Sequence, residues 1–323
     1  MARASSLKTL LLTLAVVAAL LAVSAAAGLA TLIAPAPSPT PTPASVATAT
    51  PGADATGAPS QAPIDRLEVR FLDVGQADAI LVRIGDHAML IDGGNNDDAR
   101  GLVAYLQERG IARLDAVVGT HPHEDHIGGL DAVLAAIPVG RIYLPRASAN
   151  TVTYEDLLLA IATKGIPATN PRPGDSFALG DARVTVLAPS ATAVPEGNDA
   201  SLVLRLDYGA RSFLFTGDAE AATEAEMRTA GLLREADVLK VAHHGSTSSS
   251  TPEFLAAVAP RLAVISVGEG NDYGHPAQRT LDALAAVGAT VYRTDRDGTV
   301  LVTTDGTDLA TSFETTAIDG SGR

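Results

Sequence analysis

The stretch GTHPHEDHIGG, residues 119–129, places three of the chain's seven histidines and two acids in the six positions 121–126. A largely apolar run, LDAVV, precedes it, and the helical pattern IGGLDAVLAAI follows it. The loop therefore ends a buried strand and opens a helix, the position where α/β scaffolds carry reactive groups. Alternate residues of an extended stretch point the same way. His121, His123 and Asp125 are thus expected to converge, with His126 reaching the same region as the chain turns. Neutral imidazoles and carboxylates are ligands for divalent metals, and four of them at H-x-H-x-D-H spacing can grip two adjacent ions. A solvated polar loop has no need of that spacing.

Outward from this loop, twelve strand-like runs extend from LEVRFLDV (67–74) to TVLVTTD (299–305). Helical segments are predicted near residues 98–110, 128–137, 153–164, 219–230, 252–259 and 276–287. Thr251-Pro252-Glu253 fits a capped helix start with Pro at the first helical position. RDGT at 296–299 fits a hairpin turn between two terminal strands. Many strands with interspersed helices predict an α+β or α/β sandwich with its helices outside.

Composition narrows the chemistry. The chain has 323 residues, 46% of them hydrophobic, enough for a sizeable core in one large domain or two ordinary ones. It has no cysteine, which excludes disulfides, thiolate ligands and a Cys nucleophile; any metal must be held by His, Asp, Glu or Asn. Net charge is −14, with 23 basic and 37 acidic residues, so extended non-specific duplex binding is not expected. A small phosphate-containing group at a metal site remains compatible.

The N-terminus reads as an export segment. Arg3 and Lys8 precede an apolar run over about residues 9–33, and no charge follows until Asp54. That pattern fits a signal peptide, with small residues at 25–27 for cleavage, or a single membrane anchor. Residues 34–63, rich in Pro, Ala, Thr and Ser, read as a disordered linker. The organisation expected is therefore a signal peptide or anchor at 1–33, a linker at 34–63, a folded domain at 64–315 and a flexible tail at 316–323. The positive flank favours a cytoplasmic start and an extracytoplasmic domain.

The H-x-H-x-D-H loop is shared with a known family. The chain resembles the metallo-β-lactamase-fold hydrolases, most of all the hydrolase domain of ComEC-type competence proteins and their stand-alone relatives. The stretches that carry the resemblance are FLDVGQADAILV, MLIDGG, THPHEDHIGGL, NDASLVLRLDYG, FLFTGD, LKVAHHGS and NDYGHP, in that order over about residues 64–310. The resemblance implies an αββα sandwich with a metal site at the sheet edge and two divalent ions, zinc or manganese. It implies that His121 and His123 bind the first ion, that Asp125 and His126 bind the second, and that Asp218 bridges both. His243 or His244 would complete the second site, the other being free to bind a substrate phosphate. Asp92 would support a ligand, His275 would bind phosphate or act as an acid at the site's edge, and Lys240 would counter negative charge. Asp73 and Asp78 belong to the first strand motif, where a structural role is equally expected. His87, outside these clusters, is expected to begin a strand at the surface.

One departure stands out. Many relatives carry a third histidine for the first ion, but no histidine lies between His126 and His243 here. Asn198 and Asp199 stand near that place. An oxygen ligand or water there makes the first site harder and weaker, shifting preference from Zn²⁺ toward Mn²⁺ or Mg²⁺.

Two ions sharing a hydroxide suit hydrolysis of a phosphodiester or another ester. The resemblance thus points to a metal-dependent phosphodiesterase or nuclease acting outside the cytoplasm, with Asp125, Asp218 and His275 catalytic and single-stranded nucleic acid as one phosphate-containing substrate. Against a nucleic-acid track, Arg and Lys (20 and 3) form no run. Two alternatives stand: a hydrolase of a small or wall-linked phosphoester, phosphorylcholine-esterase-like, and a non-catalytic metal-stabilised binding module.

Overall fold

The computed structural model describes residues 65–190, 197–315 and 318. The expected anchor, the linker and most of the tail lie outside the described residues. In chain order the elements are β1 (Leu67–Phe71), β2 (Ile80–Ile84), β3 (His87–Ile91), α1 (Ala99–Glu108), β4 (Ala116–Val118), α2 (Glu124–Ile127), α3 (Leu130–Ala136), β5 (Ile142–Tyr143), α4 (Val152–Lys164), β6 (Ala168–Thr169), β7 (Ser176–Leu179) and β8 (Ala182–Ala188). There follow β9 (Val203–Tyr208), β10 (Arg211–Phe215), α5 (Ala221–Thr229), β11 (Val238–Lys240), α6 (Pro252–Val258), β12 (Leu262–Ile265), α7 (Gln278–Ala286), β13 (Thr290–Arg293), α8 (Thr294–Asp297), β14 (Thr299–Thr304) and β15 (Leu309–Glu314).

Two sheets form, with strand orders β15-β14-β1-β2-β3-β4-β5-β6 and β13-β12-β11-β10-β9-β8-β7. Each combines an antiparallel meander with a parallel arm: β3 to β6 in the first, β10 to β13 in the second. Strand residues alternate between two interiors. Val69, Phe71, Val82, Met89, Val184, Leu206, Phe213 and Phe215 fill the space between the sheets. Leu81, Leu90 and Val117 face outward onto Leu102, Leu106, Leu130, Val133 and Leu157 of α1, α3 and α4. Leu214, Leu239 and Ile265 face the other way onto Met227, Phe254, Leu255 and Leu284 of α5, α6 and α7. Strands apolar on both faces need cover on both faces, and the result is the predicted αββα sandwich.

The twelve predicted strands and six helices all form. Thr251 Oγ1 accepts the Phe254 amide 3.3 Å away, capping α6 above Pro252. His87 begins β3 at the surface and bonds Asp115 at 2.9 Å. Three strands escaped the sequence reading: β6, β7 and β15. The turn at RDGT is also different from expectation. Residues 294–297 form α8, which carries the chain from β13 at one sheet's edge to β14 in the other sheet. The hairpin lies one strand later, between β14 and β15, where Asp305 Oδ1 accepts the Thr307 and Asp308 amides.

Candidate metal centre

The functional side chains gather beyond the carboxyl ends of β3, β4, β10 and β11, where the parallel arms of the two sheets open onto one edge. The loop after β4 bends at His121 and Pro122, and His123 is extended. From Glu124 the chain turns into α2, so Asp125 and His126 reach the centre from a helical turn rather than by strand alternation. The glycine pair that follows is a close-approach device. A Cβ on Gly128 would lie 2.3 Å from the Asn96 amide nitrogen, and one on Gly129 would lie 2.4 Å from the Gly93 carbonyl. The stretch after β4 is pinned to two other loops, by the Gly93 amide after β3 donating to the His126 carbonyl at 2.6 Å and by the Asp78 amide before β2 donating to the Asp125 carbonyl at 3.0 Å.

At the centre, Asp125, His126, Asp218 and His244 each present one ligand atom, all within 4.8 Å of one another. His126 Nε2 lies 3.3 Å from Asp218 Oδ1. His244 Nε2 lies 3.3 Å from Asp125 Oδ2 and 3.7 Å from Asp218 Oδ2. His126 Nε2 and Asp218 Oδ1 are both buried with no hydrogen-bond partner. Buried polar atoms are rarely left unpaired; two of them facing each other across a His/Asp cluster fit a shared divalent cation. The donor set of two imidazoles and two carboxylates suits zinc or manganese.

The supporting layer fixes which atoms face inward. Asp92 Oδ2 lies 2.8 Å from His126 Nδ1, and the same carboxylate accepts the Thr120 amide and hydroxyl, both at 2.7 Å. Asp92 itself sits at a φ of 60°, a strained conformation of the kind found at functional sites. His244 Nδ1 is held 3.0 Å from the Ser266 carbonyl, which presents Nε2 to the cluster. His121 Nδ1 lies 3.2 Å from Thr120 Oγ1 and 3.3 Å from Ser201 Oγ, while its Nε2 is 3.1 Å from His123 Nδ1. Ser201 Oγ also accepts the Asp218 amide at 3.0 Å, tying the two halves of the centre together.

Lys240 is neither solvated nor at hand for substrate. It is buried at 1% exposure, 2.7 Å from Asp78 and donating 2.9 Å to the Val241 carbonyl. Asp78 Oδ1 in turn lies 3.5 Å from His244 Nδ1. Asp78, Asp92 and His126 also bring ligand atoms close together; the Lys240 ammonium stands against Asp78 Oδ2 and the Thr120 donors against Asp92, while the buried Asp78 Oδ1 has no hydrogen-bond partner. Through His126 this trio adjoins the four-residue cluster.

The remaining expected residues divide. His243 stands at the rim, 23% exposed, with Nε2 3.8 Å from Asp218 and Nδ1 3.0 Å from Ser248 Oγ. His275 packs edge-on to it with ring centroids 5.8 Å apart. Asn198 Nδ2 donates to Glu220 at 3.0 Å and lies 3.4 Å from His243. Asp199 Oδ1 accepts from the Glu220 amide and the Thr223 hydroxyl, so that oxygen braces the start of α5 instead of facing His121 and His123. Asp73 Oδ1 accepts the Gly75 amide in its own loop. Among the described residues, no group of three or more His, Asp or Glu ligands includes His121 or His123, which accords with the missing third histidine. Thr120, Ser201, Glu220, Ser248 and the Ser266 carbonyl were not singled out from sequence; isolated hydroxyls and carbonyls carry no pattern that spacing could reveal.

Electrostatics separate the two histidine classes. Burial, together with neighbouring His126, holds His121 well below the usual imidazole range. Burial opposes charge on His126 too, but Asp218 and Asp92 outweigh it and hold its pKa well above normal. His244 is likewise raised, by Asp218 and Asp125 against burial. Burial is outweighed at Asp218 by His126 and His244, which keep its carboxyl well below the usual range. Burial and the adjacent His244 and His243 lower His275.

A model of the metallo-beta-lactamase superfamily matches residues 72–269. The chain belongs to that superfamily. Among curated relatives, this superfamily member is 33% identical over 251 residues to ComE operon protein 3 of Bacillus subtilis, covering 72% of the chain and 32% of that protein. It is 32% identical over 243 residues to competence protein ComA of Neisseria gonorrhoeae, covering 74% of the chain and 33% of that protein. It is 30% identical over 243 residues to recombination protein 2 of Haemophilus influenzae, covering 73% and 28%. The chain therefore spans about a third of the length of these relatives and is a relative of the ComEC-type competence proteins. A solved metallo-beta-lactamase fold protein, YhfI of Bacillus subtilis, superposes with a TM-score of 0.50 at 15% identity, covering 71% of this chain and 96% of that one. That likeness establishes the sandwich. The αββα chain is a metallo-beta-lactamase superfamily hydrolase with a candidate Asp/His metal centre.

Proposed function

We propose that this hydrolase is a metal-dependent phosphodiesterase, acting outside the cytoplasm on a phosphate-containing substrate such as single-stranded nucleic acid. The observation that carries it is the facing pair of unpartnered atoms, His126 Nε2 and Asp218 Oδ1, 3.3 Å apart within a four-residue ligand cluster. Similarity to competence and recombination proteins supports a nucleic-acid phosphodiester over a lactam or thioester. The positively flanked apolar segment at about residues 9–33 supports export and a membrane attachment.

In this reading Asp125, His126, His244 and Asp218 would hold one divalent ion, and His121 and His123, with Asp218 beside them, would hold a weaker second. Mn²⁺ is preferred over Zn²⁺, because the first site lacks its third imidazole. Bound ions supply Lewis acidity and lower the pKa of coordinated water. The chain's own groups do the positioning: Asp92 aims His126, Ser266 aims His244, and Asp125 and Asp218 lie where they can orient the attacking water. His243 and His275, at the rim, hydrogen-bond the phosphate and the leaving oxygen.

The net charge of −14 favours one competing reading, a small or wall-linked phosphoester. The full chain, stripped and reloaded with Mn²⁺, Zn²⁺ or Mg²⁺, separates the two when assayed on bis-p-nitrophenyl phosphate and single-stranded DNA beside Asp218→Ala. Metal-dependent cleavage of both substrates, lost in the variant, is expected. Tight metal binding without cleavage of either would move the assignment to the wall phosphoester or to a binding module.

A further inference from the structure

Tyr273 is the aromatic ring that the centre leaves in the open. Its side chain is 73% exposed, on the loop that follows β12. One face stacks on His275, with ring centroids 5.7 Å apart and planes 24° apart. His275 meets His243 edge-on at 5.8 Å, and His243 Nε2 lies 3.8 Å from Asp218. A row of three rings therefore runs from solvent to the metal ligands.

The exposure of Tyr273 does not come from a loose loop. The Asn271 side chain ties the loop on four sides: its amide donates to the Gly268 and His275 carbonyls at 3.0 and 2.7 Å, and its oxygen accepts the Tyr273 and His275 amides at 3.2 and 3.0 Å. Gln76 adds an acceptor for the Gly268 amide at 3.1 Å. A single exposed aromatic is ordinary on a protein surface. A rigidly held one, stacked on a rim histidine with its outer face bare, is a platform. The chain's charge does not itself favour a strand, but it bears on how one would be held. A protein of net charge −14 gains little from releasing counterions along a phosphate backbone. Affinity for a strand must then come from contacts that charge does not govern, and base stacking is the sequence-tolerant one.

We propose that Tyr273 stacks a nucleobase of a single-stranded substrate and so delivers the adjacent phosphodiester past His275 and His243 to the metal centre. This rests on the phosphodiesterase reading and narrows its substrate to base-bearing strands. His275 serves as the backing ring, and Tyr273 is a substrate-binding residue that touches no reacting atom.

The full chain loaded with Mn²⁺ would be titrated with a short single-stranded oligonucleotide and with a matching strand carrying abasic sites, for wild type, Tyr273→Ala and Tyr273→Phe. Fluorescence anisotropy of a labelled strand reads binding, and cleavage is followed in parallel. The chain has no tryptophan and six tyrosines, so the share of tyrosine quenching that disappears in Tyr273→Ala reports stacking on this ring. Tyr273→Ala is expected to weaken binding of the normal strand about 5- to 100-fold and to reduce the quenching. Tyr273→Phe should restore affinity, and the abasic strand should bind weakly and ignore the substitution. Unchanged binding of the normal strand by Tyr273→Ala would overturn the proposal, as would an equal loss on both strands, which marks the ring as part of the loop's architecture. If cleavage of phosphodiesters is absent in wild type, the functional reading fails by itself; the platform fails with it only if the normal strand also neither binds nor quenches.

Discussion

Asp92 Oδ2 sits 2.8 Å from His126 Nδ1, and this contact determines which nitrogen of His126 faces the metal centre. The carboxylate accepts a hydrogen bond from Nδ1–H, so that when a cation displaces the Nε2 proton it is Nε2 that offers the ligating lone pair. Asp92→Asn removes that control, because an amide can donate to Nδ1 and force the proton onto Nε2. The variant should lose about 10- to 100-fold in Mn²⁺ or Zn²⁺ affinity, measured by competition with a chromophoric chelator. Unaltered affinity would mean that the tautomer is set elsewhere.

His243 and His244 should separate by readout. His244→Asn removes a nitrogen from the four-residue cluster and should cost more than about 100-fold in metal affinity, beyond the range of a supporting partner. His243→Asn acts at the rim. It should leave metal affinity within about 3-fold while lowering kcat on a phosphodiester by about 100-fold, the lower range of a lost proton-transfer or hydrogen-bonding group. Equal metal loss in both variants would make His243 a ligand as well.

Metal binding should strengthen with pH. The folded-state pKa values of His126 and His244 are raised above the unfolded value of about 6.5. The stability they contribute to the metal-free protein is therefore fully present below about pH 6.5 and is lost as pH rises through the folded values. Asp218 has the opposite sign: its depressed pKa contributes stability above about pH 4 that is lost as pH falls through the folded value. A divalent cation displaces the imidazolium protons. The rise in Tm on adding Mn²⁺ to chelator-treated protein should be larger near pH 8 than near pH 6, as read by thermal unfolding. An equal rise at both would show that neither histidine changes protonation on binding.

The buried Lys240–Asp78 pair, 2.7 Å apart, should behave as a unit. Lys240→Met leaves an uncompensated carboxylate beneath His244 and should destabilise the fold by about 3–5 kcal/mol in urea unfolding. Asp78→Asn with Lys240→Met removes both charges and should recover most of that loss. A double variant as unstable as the single one would mean that Lys240 contributes through packing of its stem.

Much of this molecule is legible from neighbouring residues. Strands such as HAMLI and RSFLF are apolar on both faces, so their runs announce a sandwich covered on both sides. β15 hid because its residues, LATSFE, are all half-buried or exposed at a sheet edge and need no apolar run. The RDGT turn misled because hairpin chemistry is local, whereas the destination of the next strand is not. After α8 the chain pairs β14 with β1, more than two hundred residues earlier in sequence.

The sequence by itself determined that His121, His123, Asp125 and His126 belong to one short stretch beyond a strand's end, because their spacing is a local property. It also marked Asp218 and the paired histidines as candidates through the motifs around them. Only the tertiary structure decided that His244 enters the cluster while His243 stays at the rim. It also turned Lys240 inward against Asp78 and bound Asp199 to α5. Those outcomes depend on which loops the two sheets bring to a common edge and which buried charges must find partners there. Burial makes an unpaired charge costly only after the chain has closed around it.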